Sequence, residues 1–344
     1  PLYHDMGLLG TLLGPLGLGA EVWLMPPHAF LKRPARWLSW MSKVGCTHTA
    51  APNFAFDLCV RKTPQEVLER LDLSRVQVIV NGAEPVRRDT LDRFNQTFAA
   101  AGLNPDAVSP SFGLAEVGLF ASVAPKGRRL SHLTLAKGAL ARHRVQAALP
   151  GEPEAVAVVS CGVAWGDARF EVVHPERRTR VGGAQVGEIW IAGGHVARGY
   201  WRQPELSEAA FRARLADDPE AGPFLRTGDL GFVQDGDLYI TGRRKDLLII
   251  RGRNLYPQDI ERSLDGTREA LPEVRPGCAA AVAIQVDGVE QLAVFQEVEP
   301  GRNAAHDPEQ VVSALRDAVL RDHEVRPHTV VLLAKGSLPK TSSG

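Results

Sequence analysis

Between residues 20 and 101, apolar runs of strand length alternate with stretches of helical periodicity. Strands read at 20–25, 46–50 and 76–80, and helices at 34–43, 64–71 and 87–101. Successive strands joined through helices run parallel and bury both faces, so this alternation confines the segment to a mostly parallel sheet flanked by helices. The pattern changes after Gly118, where short runs at 155–160, 169–173, 188–192 and 238–241, punctuated by Gly, Pro and Asp, read as a β-rich subdomain. Asp235-Gly236 between two apolar triplets, Gly231-Phe232-Val233 and Leu238-Tyr239-Ile240, is a hairpin signal. Beyond Lys245 a helix at 257–264, strands at 279–284 and 292–297 joined through Asp287-Gly288, a helix at 308–322 and a strand at 329–333 make a compact α+β unit of about 100 residues. The expected class is α/β.

Composition narrows function mainly by exclusion. Lys+Arg and Asp+Glu both number 40 in 344 residues, so no net field draws the chain to nucleic acid or an anionic membrane. Anion binding must be local. Cys46, Cys59, Cys161 and Cys278 are far apart and form no C-x-x-C pair, which argues against zinc and redox motifs and for a reduced, cytoplasmic setting. The Leu/Gly-rich run at 7–20, broken by Thr11 and Pro15, is shorter than the about 20 apolar residues a spanning helix needs. No stable membrane insertion is expected.

Several motifs fall at loop positions of this frame. Thr241-Gly242-Arg243-Arg244-Lys245-Asp246 joins the two halves, and Phe224-Leu225-Arg226-Thr227-Gly228-Asp229 precedes it. A carboxylate such as Asp229 can accept from two neighbouring hydroxyls at once, although Gly-Asp is also an ordinary turn. Arg243 is either a ligand-grasping cation or a surface ion pair, and Lys245 either a hinge or a solvated lysine. Ser111-Phe112-Gly113-Leu114-Ala115-Glu116 offers a ring and a hard carboxylate, or a core phenylalanine and a helix-start glutamate. Asn81-Gly82-Ala83-Glu84 follows the 76–80 strand, at the sheet edge where open α/β folds bind ligands, or is a plain strand-to-helix turn. In Pro52-Asn53-Phe54-Ala55-Phe56 the rings suit an alkyl chain or the core. His4, in Tyr3-His4-Asp5, is a site residue or a loop-packing one.

Together, and in this order, these motifs resemble those of the acyl-adenylate-forming, AMP-binding enzyme superfamily. The Leu-Ala-Glu form, and a basic insertion at 129–161, resemble its fatty acyl-AMP ligase branch. The resemblance implies a partial large adenylation domain at 1–244, with its β-rich subdomain at about 119–241, and a small mobile C-terminal domain at 245–344. It implies activation of a fatty acid by ATP and Mg²⁺, then acyl transfer to the phosphopantetheine of an acyl carrier protein in lipid or polyketide assembly.

By that resemblance Asp229 and Arg243 hold the ribose. Gly82, Ala83 and Glu84 lie on one face of adenine, with Phe112 and Gly113 beside it. Glu116 binds the metal, His4 neighbours the reacting carboxylate, Lys245 is the hinge, and Asn53, Phe54 and Phe56 line the acyl tunnel. Ala115 stands where many relatives have a phosphate-touching threonine, so one nucleotide contact is missing. The segments Gly187-Glu188-Ile189-Trp190 and Ala197-Arg198-Gly199-Tyr200-Trp201 are expected to be largely structural. A phosphate loop is expected before Pro1 and a catalytic lysine after Gly344. Loss of one such donor slows reactions on the order of 10² to 10³, so the chain alone is expected to be nearly inactive. The rivals are a long-chain acyl-CoA synthetase, a non-catalytic carrier-protein-binding module, and an aryl or amino acid adenylation domain.

Overall fold

The computed structural model describes residues 1–152, 155–250, 253–286, 289–299 and 306–339. Two compact units are present. The first comprises Pro1–Ala136 and His143–Thr241, and the second comprises Lys137–Arg142 and the chain from Gly242 onward. The class is mixed α/β, as the alternation of periods requires.

In the first unit the strands are β1 (His48–Ala51), β2 (Val78–Asn81), β3 (Val108–Gly113), β4 (Phe120–Val123), β5 (His132–Ala136), β6 (Ala155–Val159), β7 (Val163–Ala164), β8 (Arg169–Val173), β9 (Gly187–Ala192), β10 (Leu225–Gln234) and β11 (Asp237–Arg243), whose last two residues belong to the second unit. One sheet has the order β1-β2-β3-β4-β7. Its first three strands are parallel, with His48 opposite Val78 and Ile79 opposite Val108, and β4 and β7 add antiparallel. Helices Asn53–Lys62 and Arg88–Phe98 lie in the crossovers from β1 to β2 and from β2 to β3, and helix Ala35–Val44 precedes β1 and packs with them. They bury Leu38, Phe56, Leu91, Phe94 and Phe98 against Leu73, Ile79 and Val108. The rings run on edge to face, Trp37 to Phe56 at 6.1 Å and Phe56 to Phe94 at 4.8 Å, a geometry favoured by the ring quadrupole.

A second sheet, ordered β11-β10-β9-β8, is antiparallel and closes over Ile189, Ile191, Leu225 and Leu238. Asp235 and Gly236 sit at φ 52° and 82° between β10 and β11, the paired left-handed conformations of a tight hairpin. Within the basic insertion, β5 and β6 pair antiparallel, His132 opposite Val159 through Ala136 opposite Ala155.

The expected strand at 20–25 does not form. The segment is irregular, and Trp23 and Leu24 are more than half exposed because no neighbouring strand pairs with it. The Leu/Gly-rich run instead coils as a π-helix, Met6–Leu13, continued by Gly14–Gly17.

The second unit pairs β12 (Leu248–Ile250) with β13 (Arg253–Leu255) and builds a sheet ordered β14 (Val274–Val286), β15 (Val289–Val298), β16 (Thr329–Ala334). β14 and β15 are antiparallel, whereas β15 and β16 are parallel, joined across helix Pro308–His323. That helix starts with a capping box, the Asp307 carboxylate and the Gln310 side chain answering each other's backbone N–H. Ile260, Leu264, Leu292, Val294, Leu315 and Val319 form its core. The Asp287-Gly288 turn and the segment from Lys340 lie outside the described residues.

Candidate active site

Three parallel strands end side by side, and their carboxyl ends carry most of the motif residues. β1 leads through Pro52 into the helix Asn53–Lys62, β2 turns through Gly82-Ala83-Glu84, and β3 runs through Leu114 into the single turn Ala115–Val117. Open α/β sheets bind ligands in the crevice outside such ends.

Asn53 ties the first two ends together. Its buried Oδ1 accepts from Asn81 Nδ2 at 3.3 Å and from the Arg87 amide at 3.1 Å. The Glu84 carboxylate accepts the Phe54 amide at the amino end of the same helix, where unpaired N–H groups and the helix dipole favour an anion. At the β3 side the Ser111 hydroxyl donates to the Asn81 carbonyl at 3.3 Å, and a Cβ on Gly82 would come within 2.6 Å of the Ser111 hydroxyl oxygen and 3.1 Å of the Ser111 carbonyl oxygen. Only glycine lets the two strand ends approach so closely. Ala83 is exposed at φ 67°, a conformation that penalises a side chain, and such strain gathers at functional turns.

The Phe54 ring is half-buried and meets Phe30 edge to face, whereas Phe56 is fully buried between Trp37 and Phe94. The geometry gives Phe56 a core role. Phe112 and Leu114 pack on the cluster of Ile189, Ile191 and Phe211, which brings the second sheet to the β3 turn. Gly113 leaves no space for a Cβ, which would overlap the Leu119 carbonyl.

Glu116 is held from a region 84 residues away. The Tyr200 hydroxyl donates to its Oε1 at 2.8 Å, and the Ala197 amide donates to its carbonyl at 2.8 Å. Burial, then the bond to Glu116 and its charge, push the Tyr200 phenol up to about 12. Among the described residues no group of three or more His, Cys, Asp or Glu forms a metal cage. A lone carboxylate fits Mg²⁺ in the mode where one or two carboxylates share the ion with substrate phosphates.

Asp229 is buried on a bulge of β10. The register against β9 slips between Arg226 and Leu230, and the Thr227 hydroxyl donates to the Ile189 carbonyl at 2.7 Å while accepting the Asp229 amide at 3.0 Å. Buried Glu188 holds the base of this bulge. Its carboxylate accepts from Arg226 Nη2 at 2.6 Å and from the Gly228 amide at 3.2 Å. The Arg226 guanidinium also lies over the Trp190 ring at 5.4 Å. Ser111 and Arg226 lie within motifs read from the sequence but without a role of their own, and Glu188 and Tyr200 lie in segments expected to be structural, each acting on a motif residue from a different element.

His4 contacts Asp5, and both His4 Nδ1 and Asp5 Oδ1 accept the Met6 amide. The π-helix that follows lies against the β3–β4 turn, since a Cβ on Gly10 would reach 3.0 Å from Leu119. Arg243 ends β11 and Lys245 lies in the turn Arg244–Asp246; both are exposed residues of the second unit.

The AMP-binding enzyme family profile matches residues 1–201. The chain is 44% identical over 346 residues to the medium-chain-fatty-acid acyl-carrier-protein ligase JamA of Moorena producens, covering all of this chain and 58% of that protein. It is 39% identical to the long-chain-fatty-acid AMP ligase FadD26 of Mycobacterium tuberculosis, covering 59% of it. Among solved structures, one from work on fatty acyl-adenylate ligases of E. coli and L. pneumophila superposes at a TM-score of 0.87 with 32% identity, covering all of this chain and 59% of that one. The chain thus spans somewhat over half the length of these relatives.

Proposed function

The chain belongs to the AMP-binding enzyme family, and from that premise we propose that the protein carrying it joins a fatty acid to AMP using ATP and Mg²⁺, then passes the acyl group to the phosphopantetheine thiol of an acyl carrier protein. The observation that carries this reading is the gathering of Asn53, Gly82, Ser111, Phe112 and Glu116 at the carboxyl ends of three parallel strands. The fatty-acid substrates of JamA and FadD26 and the acyl-carrier-protein acceptor of JamA support this choice of acid and acceptor.

In the first step a carboxylate oxygen of the fatty acid bonds to the α-phosphorus, and the bond to the bridging oxygen breaks, releasing pyrophosphate with that electron pair. In the second the thiol sulfur bonds to the acyl carbon, AMP leaves, and the thiol proton is lost. The turn Gly82-Ala83-Glu84 and the Phe112 ring with Gly113 flank the adenine. Asp229, held rigid on its bulge, accepts from the ribose hydroxyls, a charged acceptor that outperforms a neutral one. Glu116 holds the metal, which when bound offsets charge on the phosphates. The half-buried Phe54 faces the acyl chain, with Asn53 and Phe56 fixing the wall behind it, and His4 neighbours the carboxylate. Arg243 is assigned to the ribose and Lys245 to the hinge of a mobile 245–344 domain on their motif alone. Four free thiols support a reducing, cytoplasmic setting.

The chain is also 40% identical to a 4-hydroxyphenylalkanoate adenylyltransferase of Mycobacterium marinum, so an aryl-terminated alkanoic acid is the second reading. The test offers the protein a panel of fatty and 4-hydroxyphenylalkanoic acids with ATP, Mg²⁺ and CoA, and identifies products by mass spectrometry. Acyl-AMP without acyl-CoA is expected. Acyl-CoA would make it a synthetase, and neither product would leave a non-catalytic module.

A further inference from the structure

We propose that Tyr200 is the positioning residue for the Glu116 carboxylate, committing one oxygen by a hydrogen bond so that the other serves as the cation ligand. This rests on the adenylation reading and adds a residue to it. The Tyr200 hydroxyl lies 2.8 Å from Glu116 Oε1, and the tyrosine is itself fixed through its amide and its ring. Its amide donates to Ser207 Oγ at 2.8 Å, Ser207 donates in turn to the Gln203 carbonyl at 2.6 Å, and its ring meets Phe211 edge to face at 5.0 Å. Ala197, three residues earlier, donates to the Glu116 carbonyl at 2.8 Å, so one short segment grips both ends of the glutamate.

Packing explains the ring and not the hydroxyl. Phenylalanine would make the same contact with Phe211. Nor does burial demand the bond, because Tyr200 is 40% exposed and Glu116 is only half-buried, so water could satisfy either group. What remains is orientation. A carboxylate on a single 3₁₀ turn rotates freely unless one oxygen is tethered, and a metal ligand that must be ordered on binding gives up affinity for the ion.

The experiment measures, in the protein carrying this chain, the thermal stabilisation by ATP as Mg²⁺ is raised, together with fatty-acid-dependent turnover. Tyr200→Phe is expected to keep the unliganded melting temperature and the fatty-acid KM, and to raise the half-saturating Mg²⁺ roughly tenfold, the scale of one hydrogen bond to a charged group. Ser207→Ala, which loosens the tyrosine from behind, should shift the same midpoint less. Added to Glu116→Gln, Tyr200→Phe should do nothing further. A Tyr200→Phe protein with the wild-type Mg²⁺ midpoint would overturn the proposal, as would one that loses unliganded stability and every ligand response in parallel. If the wild type is stabilised by ATP with no dependence on Mg²⁺, the adenylation reading fails first and this one with it.

Discussion

Replacing Glu188 by glutamine should weaken both the first unit and its grip on ATP, because this one buried carboxylate accepts from Arg226 and from the amide that opens the Asp229 bulge. Breaking a buried ion pair from one side costs about 3–5 kcal/mol, mostly because the partner charge is left uncompensated. Glutamine keeps one acceptor oxygen for either Gly228 or Arg226, so the expected loss is near the lower end, about 3 kcal/mol. For a domain of 150–250 residues, at about 2–4 °C per kcal/mol, the melting temperature should fall by roughly 6–12 °C. The assay is thermal unfolding followed by tryptophan fluorescence, since Trp190 lies under the Arg226 guanidinium, with ATP affinity measured in parallel. A double change, Glu188→Leu with Arg226→Leu, separates the two effects. It should recover most of the stability, since matched apolar side chains often replace a buried pair at no loss. ATP affinity should stay at least tenfold down, because the Gly228 amide has lost its acceptor. A Glu188→Gln protein that melts within about 2 °C of wild type and binds ATP normally would refute the role given to this pair.

Other outcomes follow from the same structure. Gly113→Ala should abolish acyl-AMP formation while the second unit still unfolds normally, as read by two-phase denaturation, because the added methyl meets the Leu119 carbonyl at the root of the Glu116 turn. His323 is buried and its pKa is lowered from 6.5 to about 4, chiefly by burial and then by Lys137. The unfolded chain therefore binds the proton first; this contribution to stability is complete above about pH 6.5 and is lost as pH falls toward 4, on the order of 3 kcal/mol. His323→Gln should flatten that stretch of the stability–pH curve, seen in urea titrations at stepped pH. Asp307→Ala removes the capping box of helix Pro308–His323 and should lower stability by about 1 kcal/mol with ATP affinity unchanged.

The parallel sheet was legible because strand and helix periods alternate cleanly, and Asp235-Gly236 was legible because a two-residue turn with two positive φ angles needs such residues. The strand expected at 20–25 was not, since apolar composition alone does not supply a ladder partner, and Trp23 stays exposed beside Trp40 at 5.6 Å. Motif residues proposed to contact a ligand themselves, Asp229, Glu116 and the Gly82 turn, stand out because their chemistry is local to a short segment. The groups that hold them do not. Glu188 lies 38 residues from Arg226, and Tyr200 lies 84 from Glu116, distances over which sequence carries no periodic signal. Tyr200 in particular sits in a segment read as structural, yet its hydroxyl donates to the Glu116 carboxylate. Asn53 likewise belongs to an apolar stretch, yet its side chain spans the ends of two strands.

The carboxyl ends of β1, β2 and β3 are proposed as the centre where an acid is joined to AMP. Fatty-acid-dependent exchange of labelled pyrophosphate into ATP tests it most directly, because exchange requires the first step to run in both directions. Exchange is expected to need both fatty acid and Mg²⁺ and to fall at least about a hundredfold in Glu116→Ala, by analogy with loss of a preorganised electrostatic group. Exchange that ignores the fatty acid, or that survives Glu116→Ala undiminished, would contradict it.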